Sequence, residues 1–348
     1  MTDVAGGRPW RRWWSLGGGA LSAVGLAWVL WRVDFERLGG IIAEAEVTYL
    51  LLVPLAIAVE QLVRAWKWRQ LLHVIRPVNT LRLFGAIMAG YFANLLIPLG
   101  ISPIVRSWLI ARLEALKMSL VLATAAIDRL VDGVIFTGFV AVALSFAVYP
   151  DPTGGIRLGL IVGGAGSLAL FALLALALAR YKRRVGRADN WITGLTDRLP
   201  KRVAGMAKRV AQSFAEGIVW PKEAWRGLGV VLASILIKLV ATTHFLWAGL
   251  AFGVVLRPAE YVFLLVFLGF LIILTRFARI PGGFFVGAIF VLDLLAVPEE
   301  PALAMVLVVQ FSSMLAVASV GAFALWWHGV TLADLRTGGD FGGDGDKG

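Results

Sequence analysis

Several uninterrupted apolar stretches dominate this chain of 348 residues. Stretches of about 20 residues form helices that are long enough to cross the roughly 30 Å hydrocarbon layer of a bilayer. Hydrophobic residues make up 59% of the chain and charged residues only 16%, against about 25% charged residues in an ordinary soluble domain. The stretches also lack the alternation of membrane barrel strands, and unpaired backbone groups are not tolerated in lipid. The sequence therefore predicts an all-α, polytopic integral membrane protein.

Seven stretches are predicted to span the membrane, and two further ones are predicted to enter and leave on the same side. The spans are residues 15–32, 47–64, 118–149, 156–180, 227–250, 259–275 and 302–327. The two re-entrant segments, 82–117 and 276–297, are apolar but contain proline and glycine, which end or break helices. The break residues are Pro98, Gly100 and Pro103 in the first segment and Pro281, Gly282 and Gly283 in the second.

The basic residues indicate how the chain is oriented. Residues 182–226 contain eleven Lys or Arg and four acids, and loops rich in Lys and Arg remain on the cytoplasmic side. The N-terminus is also basic, whereas residues 149–155 lack cations and are predicted to lie outside. Anionic lipid headgroups account for the attraction of such a loop, so no nucleic acid partner is expected. We expect a multi-pass protein of the bacterial inner membrane with a cytoplasmic N-terminus.

The chain divides into five segments by composition. They are a cytoplasmic N-terminus (1–14), a first transmembrane half (15–180), a basic cytoplasmic loop (181–226), a second transmembrane half (227–330) and a tail (331–348). The N-terminal apolar run has no small-residue cleavage site, so we interpret it as a retained helix. The tail is rich in glycine and acidic residues, and it is predicted to be disordered.

The two halves resemble each other weakly. Pro98 precedes Arg129 by 31 residues, and Pro281 precedes Gln310 by 29. Interrupted apolar segments at matching places in two halves are a pointer to a transporter binding site. The sequence thus predicts a weak, inverted internal repeat, with a polar groove between its two copies.

Charged residues inside the apolar stretches are the candidate site, because each costs roughly 2.5–3.5 kcal/mol to insert. Asp128, Arg129 and Asp132 lie within about one helical turn. We expect Asp132 to hold Arg129 while Arg129 binds a lipid headgroup, and the alternative is a structural cluster that only pins helices together. Arg106 is expected in the first turn after Pro103, where backbone N–H groups attract anions. An interfacial arginine that reaches the headgroups is its alternative.

Further polar residues complete the candidate set. Glu60 and Arg64 are spaced for a helical ion pair. Lys238 lies in the middle of a span, as either an ion-pair partner or a headgroup contact. Asp293 is a candidate partner for a cation at the second break. The predicted headgroup-binding residues are Arg106, Arg129, Arg276, Arg279, Lys238 and Asn94, and the predicted supporting residues are Asp128, Asp132, Glu60, Arg64 and Asp293.

Enzyme chemistry finds little support in the sequence. The chain has no cysteine and only three histidines, which lie far apart and without the spacing of metal ligands. No nucleophile elbow, phosphate-binding loop or dinucleotide fingerprint is present. We therefore expect no metal, no cofactor and no catalytic residue.

At the breaks and the acidic motif, the chain resembles the lysylphosphatidylglycerol synthase transmembrane family. This family includes the flippase domain of multiple peptide resistance factors and proteins associated with hopanoids. Asn94, Pro98 and Arg106 match the first motif of the family, residues 128–132 match the second, and residues 281–283 match its Pro-Gly-Gly. The resemblance covers residues 15–330 and implies a membrane protein that handles lipids.

The chain departs from the family pattern at three places. Ser102 and Pro103 replace Gly-Glu before the arginine, residues 286–288 lack the expected acid, and Gln310 replaces an arginine. The loss of acids argues against a cationic aminoacylated lipid as the cargo. The soluble synthase domain of resistance factors is absent from this sequence, so lipid aminoacylation is not expected.

We interpret the chain as a divergent, flippase-like lipid transporter. It would move or present an anionic phospholipid, an isoprenoid or a hopanoid between leaflets. A membrane-embedded lipid-modifying transferase, with Asp128 or Asp132 as its base, is the alternative, and a non-catalytic scaffold is a third hypothesis. Membrane lipids are the expected ligands, and a second copy of the chain or lipid-biosynthesis enzymes are candidate protein partners.

Overall fold

The computed structural model describes residues 35–96, 100–186, 201–278 and 283–329. These residues form eleven helices and no strand, which confirms the all-α prediction. The helices are α1 Phe35–Ala43, α2 Val47–Leu72, α3 Thr80–Leu96, α4 Ser102–Leu113, α5 Met118–Phe146, α6 Gly155–Gly186, α7 Lys201–Gly217, α8 Ala224–Ala251, α9 Pro258–Ala278, α10 Gly283–Leu294 and α11 Glu299–Trp327.

Five of the described helices, α2, α5, α6, α8 and α11, are long and apolar enough to cross a membrane. The predicted span 15–32 and the tail 331–348 lie outside the described residues. The described apolar part of α9, Pro258–Leu274, is shorter than these five. A multi-pass membrane protein is therefore supported.

Two pairs of shorter helices form hairpins at the predicted breaks. α3 packs against α4, and α9 packs against α10. α3 has 17 residues and rises only about 25 Å at 1.5 Å per residue, which is less than the hydrocarbon thickness. Gly90 permits the close packing of the first hairpin, because a Cβ atom there would lie 2.8 Å from the carbonyl oxygen of Ser102.

The two hairpins end in the same local structure. Ala115 after α4 and Ala296 after α10 both have positive φ angles, 50° and 59°. The next residue in each case donates a hydrogen bond to the helix carbonyl five residues before it, from Leu116 to Ala111 and from Val297 to Leu292, both at 2.9 Å. This is the Schellman motif, with alanine where glycine is usual. α4 and α10 each have 12 residues, and the helices that follow them, α5 and α11, each have 29.

The chain folds into two compact units, and each takes segments from both predicted halves. Of the described residues, the first unit contains 35–53, 139–164, 242–278 and 283–311, and the second contains 54–96, 100–138, 165–186, 201–241 and 312–329. The α9–α10 hairpin thus belongs to the first unit, and the α3–α4 hairpin belongs to the second. The core of the second unit includes Trp68, Leu71, Leu83 and Leu109, all fully buried.

Three parts of the fold differ from the sequence predictions. A short helix, α1, was not predicted. The basic stretch predicted as a loop contains a 17-residue amphipathic helix, α7, and α6 continues into it as far as Gly186. The helix after the first break begins at Ser102 and ends at Leu113, because the left-handed Ala115 reverses the chain before the predicted end at 117.

Candidate functional site

The acidic part of the candidate site comes from α5. Asp128 and Asp132 are four residues apart, so their side chains share one face of the helix. Asp128 is fully buried and Asp132 is 6% exposed. Two carboxylates in such a place need cations beside them, because burial of an unpaired charge is costly.

α2 supplies the nearest cations. The ammonium group of Lys67 lies 2.8 Å from Oδ1 of Asp128 and 2.5 Å from Oδ1 of Asp132, and Lys67 is fully buried. Arg64 approaches Oδ2 of Asp132 at 3.4 Å and pairs with Glu60 at 2.6 Å. Glu60, Arg64 and Lys67 lie on one face of α2 because they are four and three residues apart. The predicted helical pair of Glu60 and Arg64 is confirmed.

Arg106 enters the cluster from α4. Its Nη2 lies 3.5 Å from Oδ2 of Asp128, and its guanidinium carbon lies 4.7 Å from the centre of the Trp68 ring. Trp68 is itself fixed, since its indole N–H donates to the hydroxyl of Thr124 at 3.0 Å. Gly90 of α3 lets α4 come close, because a Cβ there would lie 3.3 Å from the Cβ of Arg106. The hairpin therefore positions the arginine.

The location of Arg106 corrects one prediction. α4 begins at Ser102, so Arg106 is the fifth residue of the helix and not part of its first turn. Its guanidinium faces Trp68 and Asp128 in the protein interior, and the residue is fully buried. Arg106 is therefore neither an interfacial arginine nor a residue beside the helix N-terminus.

Arg129 and Lys238 lie at the edge of the cluster. Both are half-buried, and both interact electrostatically with Asp132. Asp132 does not hold Arg129, contrary to the prediction: it pairs with Lys67 and Arg64, and Arg129 forms no ion pair with any described residue. Lys238 lies 5.5 Å from the centre of the Phe136 ring.

Positive charge exceeds negative charge in this cluster. It brings together five cations (Arg64, Lys67, Arg106, Arg129 and Lys238) and three carboxylates (Glu60, Asp128 and Asp132), a formal excess of two positive charges. We call these eight residues the charged cluster. Within the described part of the chain, Nε and Nη1 of Arg106 are buried without a hydrogen-bond acceptor. Leaving buried charged donors unpaired is costly, so the arrangement suits an additional anion.

The first break contributes little to the charged cluster in the described residues. Asn94 is half-buried near the end of α3, and its side-chain oxygen has no hydrogen-bond donor among the described residues. Gly100 has a φ of 72°, which favours glycine, and Pro103 lies in the first turn of α4. Pro98 lies outside the described residues.

The second break is described only in part. Arg279, Pro281 and Gly282 lie outside the described residues, as does the side chain of Arg276, whereas Gly283 begins α10. Asp293 is exposed and pairs with no described cation. The roles predicted for these residues stay predictions.

Lys67, Trp68 and Tyr91 were not predicted as site residues. Tyr91 lies near the three arginines Arg64, Arg106 and Arg129. Lys67 stands in the basic stretch that ends the second span, and this context resembles an interfacial anchor. Its spacing of seven residues from Glu60 and three from Arg64 was the signal that could have identified it. Among the described residues, no group of three His, Cys, Asp or Glu could hold a metal ion.

The helices and the charged cluster together define a helical membrane protein with a buried, net-positive group of charges. The lysylphosphatidylglycerol synthase TM region family matches residues 15–321, and the chain belongs to that family. The family membership that the sequence motifs indicate is therefore confirmed. Searches of curated proteins and of solved structures found no match.

Proposed function

We propose that this protein transports or presents a lipid with an anionic headgroup between the leaflets of the bacterial inner membrane. The charged cluster binds the headgroup, and the hydrocarbon part of the lipid stays in the bilayer. The observation that carries the proposal is Arg106, a fully buried arginine in a cluster with excess positive charge, whose Nε and Nη1 find no hydrogen-bond acceptor among the described residues. Family membership supports a lipid-related role.

Phosphate is the headgroup chemistry that fits the cluster best. An arginine presents its N–H groups in a planar fork that matches two phosphate oxygens. Arg129 is half-buried and has no ion pair among the described residues, so its charge is available beside that of Arg106. An anionic phospholipid or an isoprenoid phosphate satisfies both arginines, whereas an uncharged hopanoid leaves the excess charge uncompensated.

The hairpins support a transport mechanism. We propose that α3–α4 and α9–α10 are re-entrant and form the two copies of an inverted repeat. The equal lengths of α4 and α10, and the same alanine-containing motif after each, favour that relationship. Broken helices near a midplane site are typical of transporters that alternate access between the two faces.

The transferase alternative has less support. A general base needs a carboxylate that can accept a proton from the substrate. Asp128 and Asp132 are instead both occupied by the ammonium group of Lys67. We therefore propose a non-enzymatic role, and the assay below separates the two functions.

Reconstitution in liposomes tests the proposal. Vesicles with a fluorescent phosphatidylglycerol in both leaflets are treated with dithionite, which bleaches the outer leaflet. We expect the protein to raise the bleached fraction above that of protein-free vesicles, and Arg106→Gln to lower it. Arg112→Gln, an exposed arginine on the same helix, is the matched control.

Three results would overturn parts of the proposal. Equal bleaching with and without protein removes the transport function. Equal activity of Arg106→Gln and the wild type removes the headgroup role of Arg106. A new lipid mass in extracts from the vesicles would instead establish a transferase.

A further inference from the structure

A second feature of α2 is an apolar groove, toward which its Leu62 and Trp66 side chains point. This groove of about 540 Å³ runs between α2 and α8, and its lining is almost entirely apolar. Leu62 and Trp66 line it from α2, and Leu232 and Leu236 line it from α8. Leu62, Leu232 and Leu236 are 38%, 54% and 45% exposed, so the groove opens to the outside of the described structure.

The spacing along α2 explains why the groove and the cluster are separate. Leu62 and Trp66 are each two residues beyond a cluster residue, Glu60 and Arg64. Two residues correspond to about 200° of rotation in an α-helix. Leu62 and Trp66 thus point away from Glu60 and Arg64 and toward the groove, which lies within the same compact unit as the charged cluster.

An arginine lies at one end of the groove. Thr80, the hydroxyl residue in the lining, accepts a hydrogen bond from Nη1 of Arg69 at 3.4 Å. Arg69 is half-buried and forms no ion pair with any described residue, and its Nε is buried without an acceptor among them. An apolar channel that ends at a guanidinium without a carboxylate has the chemistry to bind an acidic amphiphile.

The position of Arg69 favours a lipid of the cytoplasmic leaflet. Arg69 lies in the last turn of α2, and the basic residues that follow this helix place that end on the cytoplasmic side by charge bias. Anionic phospholipids give this leaflet its negative surface potential.

We propose that the groove binds one acyl chain of an anionic phospholipid, with the phosphate at Arg69. The phosphate oxygens accept hydrogen bonds from the guanidinium, and the chain lies against Leu62, Trp66, Leu232 and Leu236. Because Leu62 and Trp66 point away from Glu60 and Arg64 of the charged cluster, the occupant of the groove is a resident lipid that packs α2 against α8. It is not the transported cargo.

Native mass spectrometry of the full-length protein in detergent tests this site. The probes are phosphatidylglycerol and phosphatidylcholine with identical acyl chains. We expect one tightly retained phosphatidylglycerol, which Arg69→Gln binds roughly tenfold more weakly because it loses a charge-assisted hydrogen bond. Leu232→Trp fills the groove from an exposed position and should also displace the lipid.

Two controls match these variants. Arg112→Gln removes an exposed arginine outside the groove, and Gly166→Leu adds bulk to a helix position where a Cβ atom meets nothing within 4 Å. Both should retain the lipid as the wild type does.

A spectroscopic measurement locates the chain independently. Phosphatidylglycerol with brominated acyl chains should quench Trp66, and the quenched component should be absent in Trp66→Phe. Equal retention of phosphatidylcholine, unchanged binding by Arg69→Gln, or quenching in Trp66→Phe that is as strong as in the wild type would each overturn the proposal.

Discussion

Lys67 places its ammonium group 2.8 Å from Asp128 in the interior of a membrane protein, and neither residue is exposed. The same ammonium group also pairs with Asp132, which lies on the same face of α5 as Asp128. One cation therefore holds two carboxylates. Arg64 and Arg106 flank the arrangement, one beside each acid.

Replacing Lys67 by Met should destabilise the protein strongly. The change leaves two buried carboxylates without their nearest cation, and removing one partner of a buried pair costs about 3–5 kcal/mol. Thermal unfolding in detergent, followed by size-exclusion chromatography, measures the loss. Lys117→Met, at an exposed position, should unfold as the wild type does. The double variant Lys67→Met/Asp128→Asn should recover part of the stability, and a stable Lys67→Met would contradict the structural role.

Arg129→Ala should lower lipid exchange while leaving the protein folded. Arg129 has no ion pair among the described residues, so its loss removes a headgroup contact and not a structural pair. We expect about a tenfold slower exchange, which corresponds to about 1.4 kcal/mol. The dithionite assay measures the rate, and the melting temperature reports folding. Arg157→Ala, an exposed arginine of α6, is the control. Normal exchange by Arg129→Ala would disprove its headgroup role.

Gly90→Val should displace α4 and with it Arg106. A Cβ at this position lies 2.8 Å from the Ser102 carbonyl oxygen, and overpacking of this kind costs about 1–3 kcal/mol. Both the melting temperature and the exchange rate should fall. Gly138→Val on α5, where a Cβ meets nothing within 4 Å, serves as the control. The same melting temperature for both variants would show that the hairpin is not closely packed there.

The absence of cysteine permits a direct test of orientation. Pro152→Cys, in the connection before α6, should react with an impermeant maleimide in intact spheroplasts. Lys208→Cys, on α7, should react only after the membrane is permeabilised, because its basic segment is predicted to be cytoplasmic. Both positions are exposed. The opposite labelling pattern would invert the proposed orientation.

Much of the fold could be predicted from the sequence, because each membrane-spanning helix is specified by one continuous apolar stretch of the chain. The long apolar runs predicted five described helices, and the prolines and glycines predicted where α3 and α9 end. The ion pair of Glu60 and Arg64 could also be predicted, because residues four positions apart on a helix lie next to each other on its surface.

The pairing within the charged cluster could not be predicted in the same way. Lys67 and Asp132 are 65 residues apart in sequence, and only the packing of α2 against α5 brings them together. Arg129 is closer to Asp132 in sequence, yet it is Lys67 that pairs with this acid. Helix α7 was missed because its charges suggested a loop, although its amphipathic pattern is compatible with a helix.

The order of synthesis adds a constraint to this arrangement. α2 leaves the ribosome before α5, so its two buried cations, Arg64 and Lys67, meet Asp128 and Asp132 only after α5 has been made. Insertion of α2 as an independent span would expose these charges to acyl chains. We therefore expect the segment from α2 to α5 to fold as a single unit during biogenesis, and a truncation before Asp128 should leave α2 unable to integrate stably.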